Sequence, residues 1–231
     1  MRLIVVDPRL LVRALTHHDS QEAKLLSLLI YGVVCVRTRA LREEYDELHR
    51  AVGGSVALRK LAKLHACVER RLACARRQKA RIERALDQYI PVQLLLVTSP
   101  PLRQELRDIA RAAQANGSPH VRPHRVNLEI ARCTWRSVTQ IDPPPPYLGS
   151  STPRAYLIHT AVVGGADCLI TDDEALVLPD NTSHCDPTTR RSVHPYTLVD
   201  FCQEQLPSQI DFDAIDAPAV FRAAHVPRRK S

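Results

Sequence analysis

Two apolar stretches of this chain end in carboxylates, and those ends are where chemistry would sit. Arg2-Leu3-Ile4-Val5-Val6 reads as a buried strand closing on Asp7. Ala166-Asp167-Cys168-Leu169-Ile170-Thr171 reads as another, followed at once by Asp172, Asp173 and Glu174. In open α/β sheets, ligands bind in the crevice at the carboxyl ends of the strands. If the two strands are parallel neighbours, Asp7 and Asp173 meet, with Asp172 beside them. Carboxylates gathered in this way repel one another unless a cation neutralises them, which suits a hard metal ion. Either acid alone is also an ordinary helix cap or turn residue, so only the pair points to a site.

The elements that must position these acids follow from capping residues and apolar spacing. Before the second strand, Thr152 caps a helix with Pro153 at its first position. Tyr156, Leu157, Thr160, Ala161 and Val163 give that helix its apolar face, and Gly164-Gly165 stops it. Near the amino terminus, Ser20 caps a helix over 21–31 and Gly32 closes it. Val33-Val34-Cys35-Val36 is then expected as the second buried strand, and Thr38 caps a helix from 39 to 50 carrying Glu43, Glu44 and Glu47. Those three acids also fit a solvated face paired with Arg42 and Arg50.

A long helical pattern runs from Ser55 to about Tyr89, as one helix or two forming an arm. Its polar side is nearly all positive and includes Arg70, Arg71, Arg76 and Arg77, whereas solvated faces usually mix signs. Residues 92–97 read as a further strand and 102–115 as a helix; 126–141 fits either, with Trp135 as a core anchor. Pro143 to Pro146 form a stiff spacer. The last helix is expected over 196–206, with a poorly ordered tail from 207 to 231.

Composition narrows the function classes. The chain has 231 residues, enough for one domain with an elaboration, and no apolar run approaches a membrane span. Its start, MRLIVVD, lacks the pattern of a signal peptide, and an odd set of seven cysteines without a C-x-x-C pair argues against a disulfide framework. A cytoplasmic protein is expected. His184, Cys185 and His194 form a local cluster with weak metal-ligand spacing. A net charge of +7 favours a polyanionic partner through salt-sensitive contacts.

The segments V-V-D at the start, R-E-E-Y-D-E-L after residue 41 and G-A-D-C-L-I-T-D-D near residue 170 resemble PIN-domain ribonucleases, in particular the toxins of toxin–antitoxin pairs. The resemblance covers residues 1–50 and 150–206. It implies a three-layer α/β fold, a central parallel sheet flanked by helices, with the basic helices (about 53–118) as an insertion in a domain of 1–206. It also implies an acidic pocket that binds Mg2+ or Mn2+ and hydrolyses single-stranded RNA. Asp7, Glu44 and Asp173 would be the catalytic acids, with Asp7, Asp173 and Asp172 at the metal; the one-signed face with Arg70, Arg71, Arg76 and Arg77 would then meet the RNA backbone, or else a partner protein or solvent alone. Partners implied are single-stranded or structured RNA, an antitoxin protein and a second copy of the chain.

Two departures accompany the resemblance. Pro8-Arg9 replaces the hydroxyl and amide residues usual after the first acid, and Arg154 stands where a third acid is usual. The guanidinium could fork onto Asp7 or Asp173 in place of an ion, or point outward to RNA phosphate. Three readings therefore stay open: a metal-dependent ribonuclease, an RNA-binding module with a degenerate pocket, and a protein-interaction scaffold.

Overall fold

The computed structural model describes residues 1–52, 58–116, 122–138, 154–177, 184–185 and 192–225. The Thr152 cap, the Pro143–Pro146 spacer and the segment joining the two long helices lie outside them. At the centre is a parallel sheet of five strands: β1 (Arg2–Val6), β2 (Leu94–Thr98), β3 (Thr134–Ser137), β4 (Cys168–Ile170) and β6 (Ser192–Tyr196), in the order β3-β2-β1-β4-β6. A short β5 (His184–Cys185) adds antiparallel to β6. The central strands are largely apolar: Ile4, Val5 and Val6 and all of β2, Thr98 included, are buried, as expected of a parallel sheet covered by helices.

Helices α1 (Pro8–Thr16), α2 (Gln21–Val52), α3 (Leu58–Leu86), α4 (Pro100–Ala115), α5 (Pro123–Cys133), α6 (Tyr156–Gly164), α7 (Leu198–Asp200, continuing π-wound through Gln205) and α8 (Ala217–Ala224) flank the sheet. This is a mixed α/β architecture compatible with three layers. Among the described residues no helix is long and apolar enough to cross a membrane.

The strand order reverses direction between β1 and β4. From β1 the chain moves outward on one side through β2 to β3, then returns to β4 on the other. Such a reversal opens a crevice at the carboxyl ends of the two strands. The register aligns Ile4 with Cys168, Val5 with Leu169 and Val6 with Ile170. Asp7 is thereby level with Thr171, and its N–H donates to the Ile170 carbonyl at 2.9 Å.

Several expectations are corrected. Val33 to Val36 do not form a strand: they lie mid-way along α2, which runs unbroken from Gln21 to Val52. Four consecutive apolar residues suit a helix covered on every side as well as a buried strand. Here Val34 and Cys35 join the main core, while Val33 and Val36 pack with Leu95. Thr38 is no cap; its hydroxyl donates to the Val34 carbonyl at 2.7 Å. Nor does Gly32 end a helix. It lets α2 lie directly on β2, where a Cβ would fall 2.2 Å from the Leu94 carbonyl oxygen.

Residues 126–141 resolve into α5 followed by β3, and Trp135 is exposed rather than a core anchor. Within its described residues α3 is a single helix, packed as a hairpin against α2. Tyr196 belongs to β6 rather than to the last helix before residue 206. The segment after 207 is no loose tail as far as His225: Ile210, Ile215, Ala217 and Val220 are buried, and α8 packs on α3 and α2. At the other break, Gly165 ends α6 in the left-handed conformation (φ 66°), a terminator legible in the Gly-Gly pair.

Gly32→Ala tests the close approach of helix and strand. The substitution gains up to about 1 kcal/mol of helix propensity, but it must displace strand backbone, and overpacking of this kind costs about 1–3 kcal/mol. A net loss of stability is expected in urea denaturation. An unchanged or raised midpoint would show that β2 yields to the helix.

Candidate functional site

Asp7 is both cap and site residue. As the N-cap of α1, it accepts the Arg9 N–H on Oδ1 at 2.8 Å, with Pro8 in the first turn. The Thr171 hydroxyl, one strand away, donates to Oδ2 at 2.8 Å. Arg154, in the turn leading into α6, completes the shell with a two-pronged fork: Nη1 donates to Oδ2 and Nη2 to Oδ1, each at 2.6 Å. An ionised carboxylate has about four acceptor sites, and these contacts occupy all of them. The pair is deeply buried, with Asp7 1% and Arg154 6% exposed.

Two more carboxylates close on the same guanidinium. Asp173 Oδ2 accepts from Nη1 at 3.3 Å, and Glu105 Oε1 accepts from Nε at 3.1 Å. Asp173 is held in a turn by its own N–H on Thr171 Oγ1 (3.1 Å) and by the Ala175 N–H on its Oδ1 (3.2 Å). Thr171 thus joins both strand-end acids through one hydroxyl. Glu105 comes from α4, which Ser99 caps immediately after β2; the Ser99 hydroxyl lies 2.7 Å from that of Thr160 on α6. The Tyr156 hydroxyl donates to the other oxygen of Glu105.

The ionisation of Asp7 reflects a contest between burial and bonding. Burial alone would raise its carboxyl; hydrogen bonds from Arg154, the Arg9 N–H and Thr171, with the charge of Arg154, outweigh that and hold it below the ordinary 3.8. Burial likewise disfavours the Arg154 cation, and its bonds to Asp7 with the nearby charges of Asp7 and Glu105 more than reverse this. Both groups are charged at neutral pH. Burial, aided by Glu105, pushes the Tyr156 hydroxyl up, so it remains a donor.

The structure therefore brings together Asp7, Asp173 and Arg154 of the residues singled out from sequence, and leaves others elsewhere. Asp172 turns to the mouth of the crevice and pairs with Arg13, which also meets Glu22 at 3.2 Å. Glu44 sits on the outer half of α2, paired with Arg71 at 3.9 Å. A helix rises about 1.5 Å per residue, which carries Glu44 roughly 33 Å beyond Glu22. Its expected place beside Asp7 depended on a short helix after a strand that does not exist. Glu105 supplies the third carboxylate instead. The signal for it lay in Ser99-Pro100 after an apolar strand, which repeats the cap-and-proline pattern of Asp7-Pro8.

Arg70, Arg71, Arg76 and Arg77 are exposed along α3, opposite the stripe of Val68, Leu72, Ala75 and Ile82 that packs inward. His194 lies on β6, between β4 and β5; the side chains of His184 and Cys185 lie outside what the structure describes.

Magnesium or manganese does not fit this donor set as it stands, because every acceptor site of Asp7 is taken and a guanidinium fills the centre. Among the described residues no group of three or more His, Cys, Asp or Glu side chains is disposed to hold a metal ion. No protein-family model matches the chain, and neither curated proteins nor solved structures provide a match.

Arg154→Leu isolates the contribution of the cation. Losing one partner of a buried, hydrogen-bonded ion pair costs about 3–5 kcal/mol. The pH dependence has a defined sign. In the native chain Asp7 is depressed, so its contribution is present above the unfolded carboxyl pKa of about 3.9 and fades as pH falls through the lower folded value. Without Arg154, burial dominates and raises Asp7, so stability is lost as pH rises. The deficit of Arg154→Leu in urea unfolding is thus expected to be larger at neutral pH than at acid pH. It should shrink when Asp7→Asn is added. A pH-independent deficit would remove the Asp7 charge from the account.

Proposed function

We propose that this chain is an RNA-binding module of PIN-like fold whose acidic pocket is neutralised from within by Arg154 instead of by Mg2+ or Mn2+. The observation that carries this reading is the saturated Asp7 carboxylate, held by four donors that leave no acceptor site for an ion. A buried pair with this geometry resists opening, because separating it strands a charge away from water. Binding then falls to the outer surface. The net charge of +7 and the run of exposed arginines on α3 support a phosphate backbone as the partner.

A ribonuclease is the second reading, and one observation favours it. Three carboxylates from separate elements converge at the carboxyl edge of β1 and β4 on a single cation, and two of them, Asp173 and Glu105, keep about a fifth to a quarter of their side chains exposed. That arrangement retains more negative charge than Arg154 cancels.

The two readings separate in a single experiment. Fluorescence anisotropy with labelled single-stranded RNA is expected to show salt-sensitive binding and intact RNA after incubation with Mn2+. Reversing Arg70, Arg71, Arg76 and Arg77 to Glu should weaken binding and flatten the salt dependence, by about 0.7 in logarithmic slope for each phosphate no longer neutralised. Unchanged affinity in that variant would take α3 out of the interface. Cleavage that stops on chelation and disappears in Asp173→Asn would establish the nuclease in place of the binding module.

A further inference from the structure

On the side of the fold formed by α1, α2, α5 and α8 lies a cavity of about 510 Å3 that the acidic crevice does not use. Its size falls within the roughly 300–1,000 Å3 typical of small-molecule sites. The floor is aliphatic and aromatic: Leu15, Leu26, Ile30, Val126 and Phe221. Cys133, also on the floor, donates its thiol to the Glu129 carbonyl of its own helix at 3.2 Å, and burial pushes that thiol up, so it stays neutral. The one carboxylate at the wall, Glu129, is already engaged by Arg132 at 2.9 Å and lies 3.1 Å from His225.

The rim has the opposite character. Arg122, Arg125 and Arg222 are exposed there, and none has a carboxylate partner among the described residues. Helix α5 begins at the same place, with Arg122 as its N-cap, no side-chain cap bond and no acid in its first turn. Neither the cap residue nor the first turn offsets the positive end of that helix, which adds to the three guanidinium groups. Arg222 also borders a shallow groove with Arg81 and Arg84 of α3, which extends the positive field along α8.

An apolar floor beneath a positive rim selects for a molecule with the complementary division. We propose that this cavity binds a small amphipathic anion, an acyl chain lying on the floor with its carboxylate at the start of α5 between Arg122, Arg125 and Arg222. A nucleobase fits less well: its polar edges would meet aliphatic walls and lose their hydrogen bonds to water without replacement, at a cost of about 1–3 kcal/mol per group. A lone inorganic anion would leave the floor unused. The inference does not depend on RNA binding.

Isothermal calorimetry on the full chain tests it with decanoate, decanol, uridine monophosphate and inorganic phosphate as probes. Decanoate is expected to bind saturably at one site. Decanol should be at least tenfold weaker, and neither uridine monophosphate nor phosphate should match decanoate. The exposed pair Arg125→Glu and Arg222→Glu should lower decanoate affinity at least tenfold while leaving the urea midpoint within error. Equal affinities for decanoate and decanol would overturn the proposal. So would a double variant that binds as the parent does, or a preference for the nucleotide or for phosphate.

Discussion

The Asp7–Arg154 pair is the contact on which the arrangement of the central strands depends. Asp7 closes β1, caps α1 and accepts a bond from Thr171 at the end of β4, so three elements meet at one carboxylate. Arg154 then draws in α4 through Glu105 and the turn after β4 through Asp173. Two charges this deeply buried are expensive to desolvate, and only near-complete hydrogen bonding offsets that cost. The donors come from three directions: the Arg9 N–H from the first turn of α1, the Thr171 hydroxyl from the end of β4, and the guanidinium from the turn before α6. Such a junction specifies how the strands and helices meet more than it adds to net stability.

The chemistry of the crevice follows from the same accounting of donors and acceptors. Strand-end carboxylates at a reversal of strand order form a place for positive charge, and the fold provides one covalently attached. A guanidinium differs from a divalent ion in what it can do there. It is planar, remains protonated and holds no water to activate. Away from the crevice, α3 and the mouth of the cavity beside α5 carry exposed positive charge.

Much of this was legible in the sequence, for identifiable physical reasons. Strands ending in Asp7 and at Thr171 could be read because parallel strands are apolar throughout and stop sharply at a polar residue. The α6 stop was legible because Gly164-Gly165 permits a left-handed turn. Val33 to Val36 misled because apolarity over four residues carries no period, and a helix covered on all sides looks like a buried strand. Glu105 escaped notice because one acid on an otherwise solvated helix resembles any other until the helix is aimed. The packed segment at 210–224 was obscured by Asp211, Asp213 and Asp216, which interrupt its apolar residues; these find their places only against α2 and α3.

The outer half of the α2–α3 hairpin has a small apolar cluster of its own, Leu41, Leu72 and Ala75 with Tyr45, that does not merge with the main core. Stability is therefore unevenly distributed along two continuous helices. Near the sheet, opening α2 means exposing Leu25, Leu29 and Val34 together with everything they touch. Toward the tip, among the described residues, it means exposing that small cluster and Val68. The hairpin end can fray and re-form as a unit while the sheet stays closed, so its amides should exchange with solvent well ahead of those beneath Gly32. Along this single helix the apolar packing thus divides between Val36 and Leu41, the sheet holding one side and α3 the other.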